Sequence, residues 1–414
     1  MTNSYEFRPV YSFGPVLGGG TPKANKTNWN GSIPFITPTE LSGLNGKQVG
    51  EAVRSVTEAG VLQTTTIDSG VLVSCRAPIG SIGTTSSRVA FNQGCKGIPV
   101  SDDRQARYLA YALVAARETL EVRGNGTTFS EISSAALGQI RIPVPPLEIQ
   151  NAIADYLDRE TAEIDAMTAD LDELETLLIE RRRGTVETIL LGGGTTTLQS
   201  LPEDWSRTTL GTVFSFHNGD RGVNYPRPED ISDEGIPFIN AGDLINGTVD
   251  LEGCKRVSPE KYAQMGGAKL QRGDILFCLR GSLGKWGLME SDGGSLASSL
   301  CALRNERPDL VDVRYIAHAM STRVISLQIW FNESGSAQPN LGAEQVARFR
   351  VPLPPFEEQH RIVDEIDRET AEIDAMLSDI TELRDLLAER RAAVIAAAVT
   401  GQIDIPAAEE TTHA

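Results

Sequence analysis

No apolar run in this 414-residue chain approaches the ~20 residues that a bilayer crossing needs. The opening Met1-Thr2-Asn3-Ser4-Tyr5 lacks the basic-then-apolar layout of a signal peptide. Cysteine is scarce too. The five, Cys75, Cys95, Cys254, Cys278 and Cys301, are scattered and odd in number, and none forms a Cys-x-x-Cys pair. That spacing argues against a zinc site and a disulfide framework, and a reducing cytoplasm is the expected compartment.

Catalytic signatures are missing as well. His217, His318, His360 and His413 stand alone, with no His-Glu-x-x-His spacing for a metal. Gly281-Ser282-Leu283-Gly284-Lys285 has the wrong spacing for a phosphate loop, and Trp286 stands where Ser or Thr is required. Gly18 to Gly20 is a turn, without the layout of a dinucleotide fingerprint. In Leu353-Pro354-Pro355-Phe356 an apolar residue replaces the Asn or Asp that amino-methyltransferases use to bond the target amine. No nuclease-like carboxylate cluster is visible. The expectation is a recognition chain with no catalytic residue, no metal site and no cofactor of its own.

What the chain does have is a repeat. The ten residues Asp158 to Met167 return unchanged as Asp367 to Met376, an offset of 209. The same offset relates Pro146 to Pro355, Gln150 to Gln359, Leu174 to Leu383, Leu178 to Leu387, Glu180-Arg181-Arg182 to Glu389-Arg390-Arg391, and Gly192 to Gly401. Such internal identity decides the architecture before any local reading does. It also explains the acidity. Of the net charge of −18, residues 146–191 carry −8 and residues 355–400 carry −7. Residues 1–145 are at +3 and residues 192–354 at −3, so local basic faces remain open to them.

Between the acidic segments the sequence reads as mixed α/β (α+β) globules. Ile33-Pro34-Phe35-Ile36 reads as an edge strand, since proline cannot donate to a ladder. Val71 to Cys75 reads as a buried strand, Asn92 to Lys96 as a loop, and Tyr108 to Leu120 as a helix. Gly124 to Thr128 reads as a flexible loop. Landmarks recur in the second half: Ile236-Pro237-Phe238-Ile239, then Asp274 to Cys278 followed by Arg280-Gly281-Ser282-Leu283-Gly284, then Ser334 to Asn340. Pro145-Pro146 and Pro354-Pro355 start long helices, because a first-turn proline loses no hydrogen bond. A heptad seam is expected through Leu157, Ile164, Met167, Leu171, Leu174 and Leu178, and through Ile366, Ile373, Met376, Ile380, Leu383 and Leu387. The layout is globule at 1–145, helix at 146–192, globule at 193–354, helix at 355–401 and tail at 402–414. The two helices are expected to form an antiparallel coiled coil within an internal pseudo-twofold repeat.

The chain resembles the specificity subunit of type I restriction–modification enzymes. The resemblance rests on the two Pro-Pro-x-x-x-Gln helix starts and the Glu-Arg-Arg helix ends. Gly19-Gly20-Thr21-Pro22, Ile33 to Ile36, Arg76-Ala77-Pro78-Ile79-Gly80, Asn92-Gln93-Gly94-Cys95 and Leu201-Pro202-Glu203-Asp204-Trp205 add to it. One departure is that the first globule lacks the Leu-Pro-x-x-Trp opening of the second. The resemblance implies two target-recognition domains, each reading half of a split, asymmetric site on double-stranded DNA. The helices would set the spacing and dock two modification subunits, with restriction subunits as further partners. S-adenosylmethionine would sit on the modification subunits, and ATP and Mg on the restriction subunit. DNA-contacting candidates are Lys23, Lys26, Asn28, Arg76 and Lys96 in the first globule. In the second they are Arg221, Asn224, Arg280, Lys285, Gln338 and Asn340. The alternative reading is a coiled-coil scaffold whose globules bind proteins.

Overall fold

The computed structural model describes residues 5–76, 78–124, 131–192, 201–333 and 340–405. The chain folds as two compact units. One comprises Met1–Asp172 with Thr381–Ala414, the other Glu173–Ile380. Two 44-residue helices, Leu147–Leu190 and Phe356–Val399, each contribute to both units.

In the first unit a four-stranded antiparallel sheet runs in the order Leu17–Gly18, Cys95–Pro99, Gly70–Ser74, Ile82–Thr85. Its central strand Gly70–Ser74 is buried throughout. The helix Asp103–Ala115 covers this sheet with Tyr108, Leu109 and Leu113, all fully buried. A second sheet runs Arg54–Val56, Trp29–Ile36, Val89–Phe91, Thr65–Ile67. Ile33 to Ile36 is therefore an interior strand and not the expected edge. Pro34 is tolerated because the parallel ladder with Val89–Phe91 engages only Phe35 and Ile36. Asn92 to Lys96 is also not all loop, since Cys95 opens a strand.

The second unit repeats this plan with a six-stranded sheet in which Ile275–Cys278 lies beside Leu300–Asn305 and Trp286–Leu288. Val313–Met320 is its covering helix. Each unit also has a two-stranded clasp, Phe7–Pro9 on Arg141–Pro143 and Ser206–Thr209 on Arg350–Leu353. Aligning the clasps puts Tyr5 where Trp205 stands. The missing Leu-Pro-x-x-Trp opening is thus replaced by a single aromatic at the same point of the core.

The long helices complete both cores. In the first unit Ile153 and Leu157 pack with Ile395 and Val399 in one cluster. In the second unit Ile362 and Ile366 pack with Val186 and Leu190. All eight positions correspond at the offset of 209. Each such side chain contributes roughly 1.5–3 kcal/mol on burial. Gly192 and Gly401 end the helices at φ 65 and φ 76, the left-handed conformation that glycine adopts at no steric cost.

In each unit the two helices run antiparallel. Arg384 bonds Asp172 at 2.5 Å and Arg391 bonds Asp165 in the first unit; Arg182 bonds Asp374 at 2.6 Å in the second. The seam differs from the expected one. Leu157, Ile164, Leu178, Ile366, Ile373 and Ile380 are buried, and Leu171 and Leu387 are half-buried. Met167, Leu174, Met376 and Leu383 are exposed. Thr161 and Thr370, both buried, take the alternate seam positions instead. The stripe follows steps of four and three from Leu157 through Thr161, Ile164, Thr168, Leu171, Glu175, Leu178 and Arg182. Counting only apolar residues placed every second seam position one residue off, because threonines and the polar ends of longer side chains share the seam.

Candidate nucleic-acid interface

The loop before Trp29 is held from inside. Asn28 Nδ2 and Trp29 Nε1 both donate to the Lys23 carbonyl, each at 3.0 Å. Asn28 is buried and bonded also to Gln63, so it shapes this loop rather than presenting itself to a ligand. Lys23 and Lys26 remain exposed. Arg54, a residue the sequence reading missed, stacks its guanidinium 3.7 Å from the Trp29 ring centroid. Trp29 in turn meets Phe35 edge-on at 5.0 Å. Only the pairing register of Trp29–Ile36 with Arg54–Val56 brings these groups together, and no local pattern announces it.

Arg76 follows the central strand of the first unit. Its Nε donates to Glu131 Oε2 at 3.0 Å. Lys96 is nearly buried on Cys95–Pro99, with its ammonium 3.8 Å from the same carboxylate. As the reading of a loop residue facing solvent this is a correction: alternation along a strand turns Lys96 inward, against Glu131. Thr21 Oγ1 donates to Gln93 Oε1 at 2.5 Å, and the Gln93 carbonyl accepts from Cys75 Sγ at 3.4 Å, beside Arg76.

In the second unit Arg280 occupies the place of Arg76, after the strand Ile275–Cys278. Its Nε donates to Asn340 Oδ1 at 3.1 Å. Arg221 donates from Nε and Nη2 to the Ser298 carbonyl at 3.3 and 3.2 Å. Arg221, Tyr225, Arg280 and Ser298 line one open pocket of about 380 Å³. Asn224 is exposed and donates to the Gln264 carbonyl at 2.9 Å. Lys285 is exposed and lines a different pocket with Asn246 and Trp286. Gln338 lies outside the described residues. The structure thus gathers Arg221, Arg280 and Asn340 at one place and leaves Asn224 and Lys285 apart from them.

Among the described residues no group of His, Cys, Asp and Glu is arranged to hold a metal ion, and no helix is long and apolar enough to cross a membrane. All five cysteines are buried, and burial pushes the Cys75 and Cys278 thiols up from their ordinary value. Thiols held protonated in this way are poor nucleophiles.

The type I restriction modification DNA specificity domain matches this chain twice, over residues 3–176 and 202–382. The specificity subunit of the Escherichia coli type I restriction enzyme EcoBI is 25% identical over 338 residues, covering 77% of this chain and 70% of that one. The MjaIX specificity subunit of Methanocaldococcus jannaschii is 26% identical over 262 residues, 60% of each chain. A solved chain from a study of complex assembly and conformational transition in a type I restriction–modification system superposes with a TM-score of 0.57 at 18% identity, covering 97% of this chain and 98% of that one. Two matched segments, each a globule with the start of its long helix, make this chain a member of the type I restriction–modification DNA specificity family.

Proposed function

We propose that each unit reads one half of a bipartite, asymmetric site on double-stranded DNA. The observation that carries this is one scaffold used twice with unlike exposed polar residues. The same buttressed arginine appears as Arg76 with Glu131 and as Arg280 with Asn340, while its neighbours differ. A duplicated frame with divergent tips suits two half-sites of different sequence, since base-edge contacts carry specificity.

The long helices, in this reading, set the spacer length and dock two modification subunits. Support for docking comes from an apolar stripe left exposed on both helices: Met167, Leu174 and Leu177, repeated as Met376, Leu383 and Leu386. The modification subunits would carry S-adenosylmethionine and methylate adenine. A restriction subunit, where present, would supply ATP- and Mg-dependent cleavage. This chain would bind neither cofactor.

Methylome sequencing of cells carrying this chain with its modification subunit tests the proposal. The expected result is one split motif with a fixed spacer. Lengthening both helices by seven residues at equivalent points should alter the spacer and leave the half-sites as they were. A continuous motif, or none, would refute the reading.

A further inference from the structure

Arg76 and Arg280 stand at the same point of the two units. Each forms an isolated backbone bridge, to Glu131 and to Asn340 respectively. The residue before each is tied in the same way: Cys75 N donates to the Gly94 carbonyl and Leu279 N to the Ser299 carbonyl, both at 2.8 Å. Gly19 and Gly219 align the neighbouring loops, since an added Cβ would meet the Asn92 carbonyl oxygen at 2.0 Å and the Ala297 carbonyl oxygen at 2.1 Å. Thr21 is therefore the counterpart of Arg221, and Gln93 the counterpart of Ser298.

The chemistry at this shared point differs. In the first unit a carboxylate holds the arginine and also faces Lys96, and Thr21 and Gln93 complete the group. In the second unit a neutral amide holds the arginine, and a second arginine lies beside the same pocket. Among the described residues no acidic side chain lines that pocket. The arginine itself is common to the two units; what sets the second apart is the neutral amide that holds it and Arg221 beside it, where the first unit has Glu131 and Thr21.

Arg280 is exposed and engaged through Nε alone among the described residues. Its two terminal nitrogens are left as a fork of fixed direction, and that fork matches O6 and N7 of guanine. Holding Nε reduces the rotamer freedom lost on binding. Arg221 is held from Nε and Nη2 by the Ser298 carbonyl, and Tyr225 is braced edge-on by Phe238 at 5.7 Å. Together they wall the place where a base edge would enter.

We propose that Arg280, supported by Arg221, reads a guanine in the half-site taken by the second unit. This rests on the DNA-specificity reading above. The test uses the complex of this chain with its modification subunit, bound to a library of duplexes randomised across the site. Wild-type complex should require guanine at one position of one half-site. Arg280→Ala should lower the preference for guanine at that position roughly ten- to a hundred-fold and leave every other position unchanged. Arg221→Ala should weaken the preference at the same position. Because both side chains are exposed, either variant keeps the test alive if the other fails to fold.

A uniform loss of affinity across all sequences, with a shallower salt dependence, would mark Arg280 as a phosphate contact and overturn the inference. So would an unchanged guanine requirement, or loss of preference at a position that is not guanine. If the wild-type complex shows no sequence preference at all, the underlying DNA-specificity reading fails, which is a distinguishable outcome.

Discussion

Arg182 donates from Nε to Asp374 Oδ1 at 2.6 Å and from Nη2 to Oδ2 at 3.2 Å. Adding 209 to Asp165 gives Asp374, and adding it to Arg182 gives Arg391, and Arg391 pairs with Asp165 in the other unit. The duplicated helices thus carry one ion pair twice, each copy joining a residue of one helix to a residue of the other. Forked arginine–carboxylate geometry fixes register as well as attraction. Asp374 is about half exposed, so the pair contributes below about 1 kcal/mol. Asp374→Arg places like charges together and should lower the thermal midpoint of the chain. Adding Arg182→Asp should restore most of that loss. Absence of rescue in the double variant would show that the pair does not set the register.

The glutamine after each Pro-Pro pair offers a sharper comparison. Gln359 donates to the Pro354 and Leu310 carbonyls, both at 2.9 Å, and accepts from Asp312 N at 2.9 Å. Gln150 donates to the Pro145 carbonyl at 2.8 Å, and its Oε1 has no partner among the described residues. Gln359→Leu strands a buried amide and two carbonyls, at a cost of roughly 2–4 kcal/mol. Gln150→Leu should cost less than half of that. Urea unfolding of the two variants decides it, and equal losses would contradict the bonding pattern.

The duplication, the long helices and the kind of job were legible because identity over ten residues and proline-started acidic segments are local signals. Half of the seam was not, since Thr161 and Thr370 count as polar in a sequence yet are buried here. Lys96 and Asn28 were misplaced because inward direction is set by strand pairing and loop closure, which no single residue declares. Arg54 went unseen for the same reason: its partner Trp29 lies 25 residues earlier, on a neighbouring strand. Arg221 and Arg280 were named separately, and only the fold shows them lining one pocket.

His318 should give the second unit a pH response that the first lacks. Its imidazole lies 3.3 Å from Asp367 Oδ1, where the counterpart in the first unit is Tyr111, donating to Asp158 Oδ1 at 2.8 Å. Burial is the main cause that lowers the His318 pKa below its ordinary value, with Arg182 and Arg314 adding to it against the pull of Asp367. A folded pKa below the unfolded one means the unfolded chain binds more protons in that window. Stability should therefore fall as pH drops through about 6.5 and level off below the folded pKa. His318→Tyr should flatten the thermal midpoint between pH 7 and 5. Parallel curves for the two proteins would contradict the assignment.

Glu131 pairs with the first unit's arginine. Its carboxylate takes Arg76 at 3.0 Å and stands 3.8 Å from Lys96. Glu131→Gln keeps the acceptor oxygen for Arg76 Nε and removes the charge. DNA affinity of the assembled complex should rise, with a salt dependence steeper by up to about one phosphate neutralised. Titration of binding against salt measures the slope. An unchanged slope would mean that Arg76 does not approach the duplex.

The exposed stripe on the long helices calls for a partner. Leu177 and Leu386 are 55% and 59% exposed, and Leu174 and Leu383 are 44% and 46% exposed. Matching exposure at the offset of 209 means that the duplication has kept these side chains outside the seam in both units. Leucines left about half exposed at both copies of a site form an apolar stripe, and exposed apolar stripes of this kind mark association surfaces. On the docking of two modification subunits proposed above, Leu177→Asp should remove one of them from the purified complex and leave the other, which lowers the assembled mass by a single subunit. Leu386→Asp should remove the other, and the double variant both. Because the replaced side chains face solvent, the folded state of the free chain should keep its thermal midpoint to within a few degrees. Analytical ultracentrifugation of the four complexes, with melts of the free chains alongside, separates lost docking from lost folding. Full assembly of the double variant would show that the stripe is not where the partners sit.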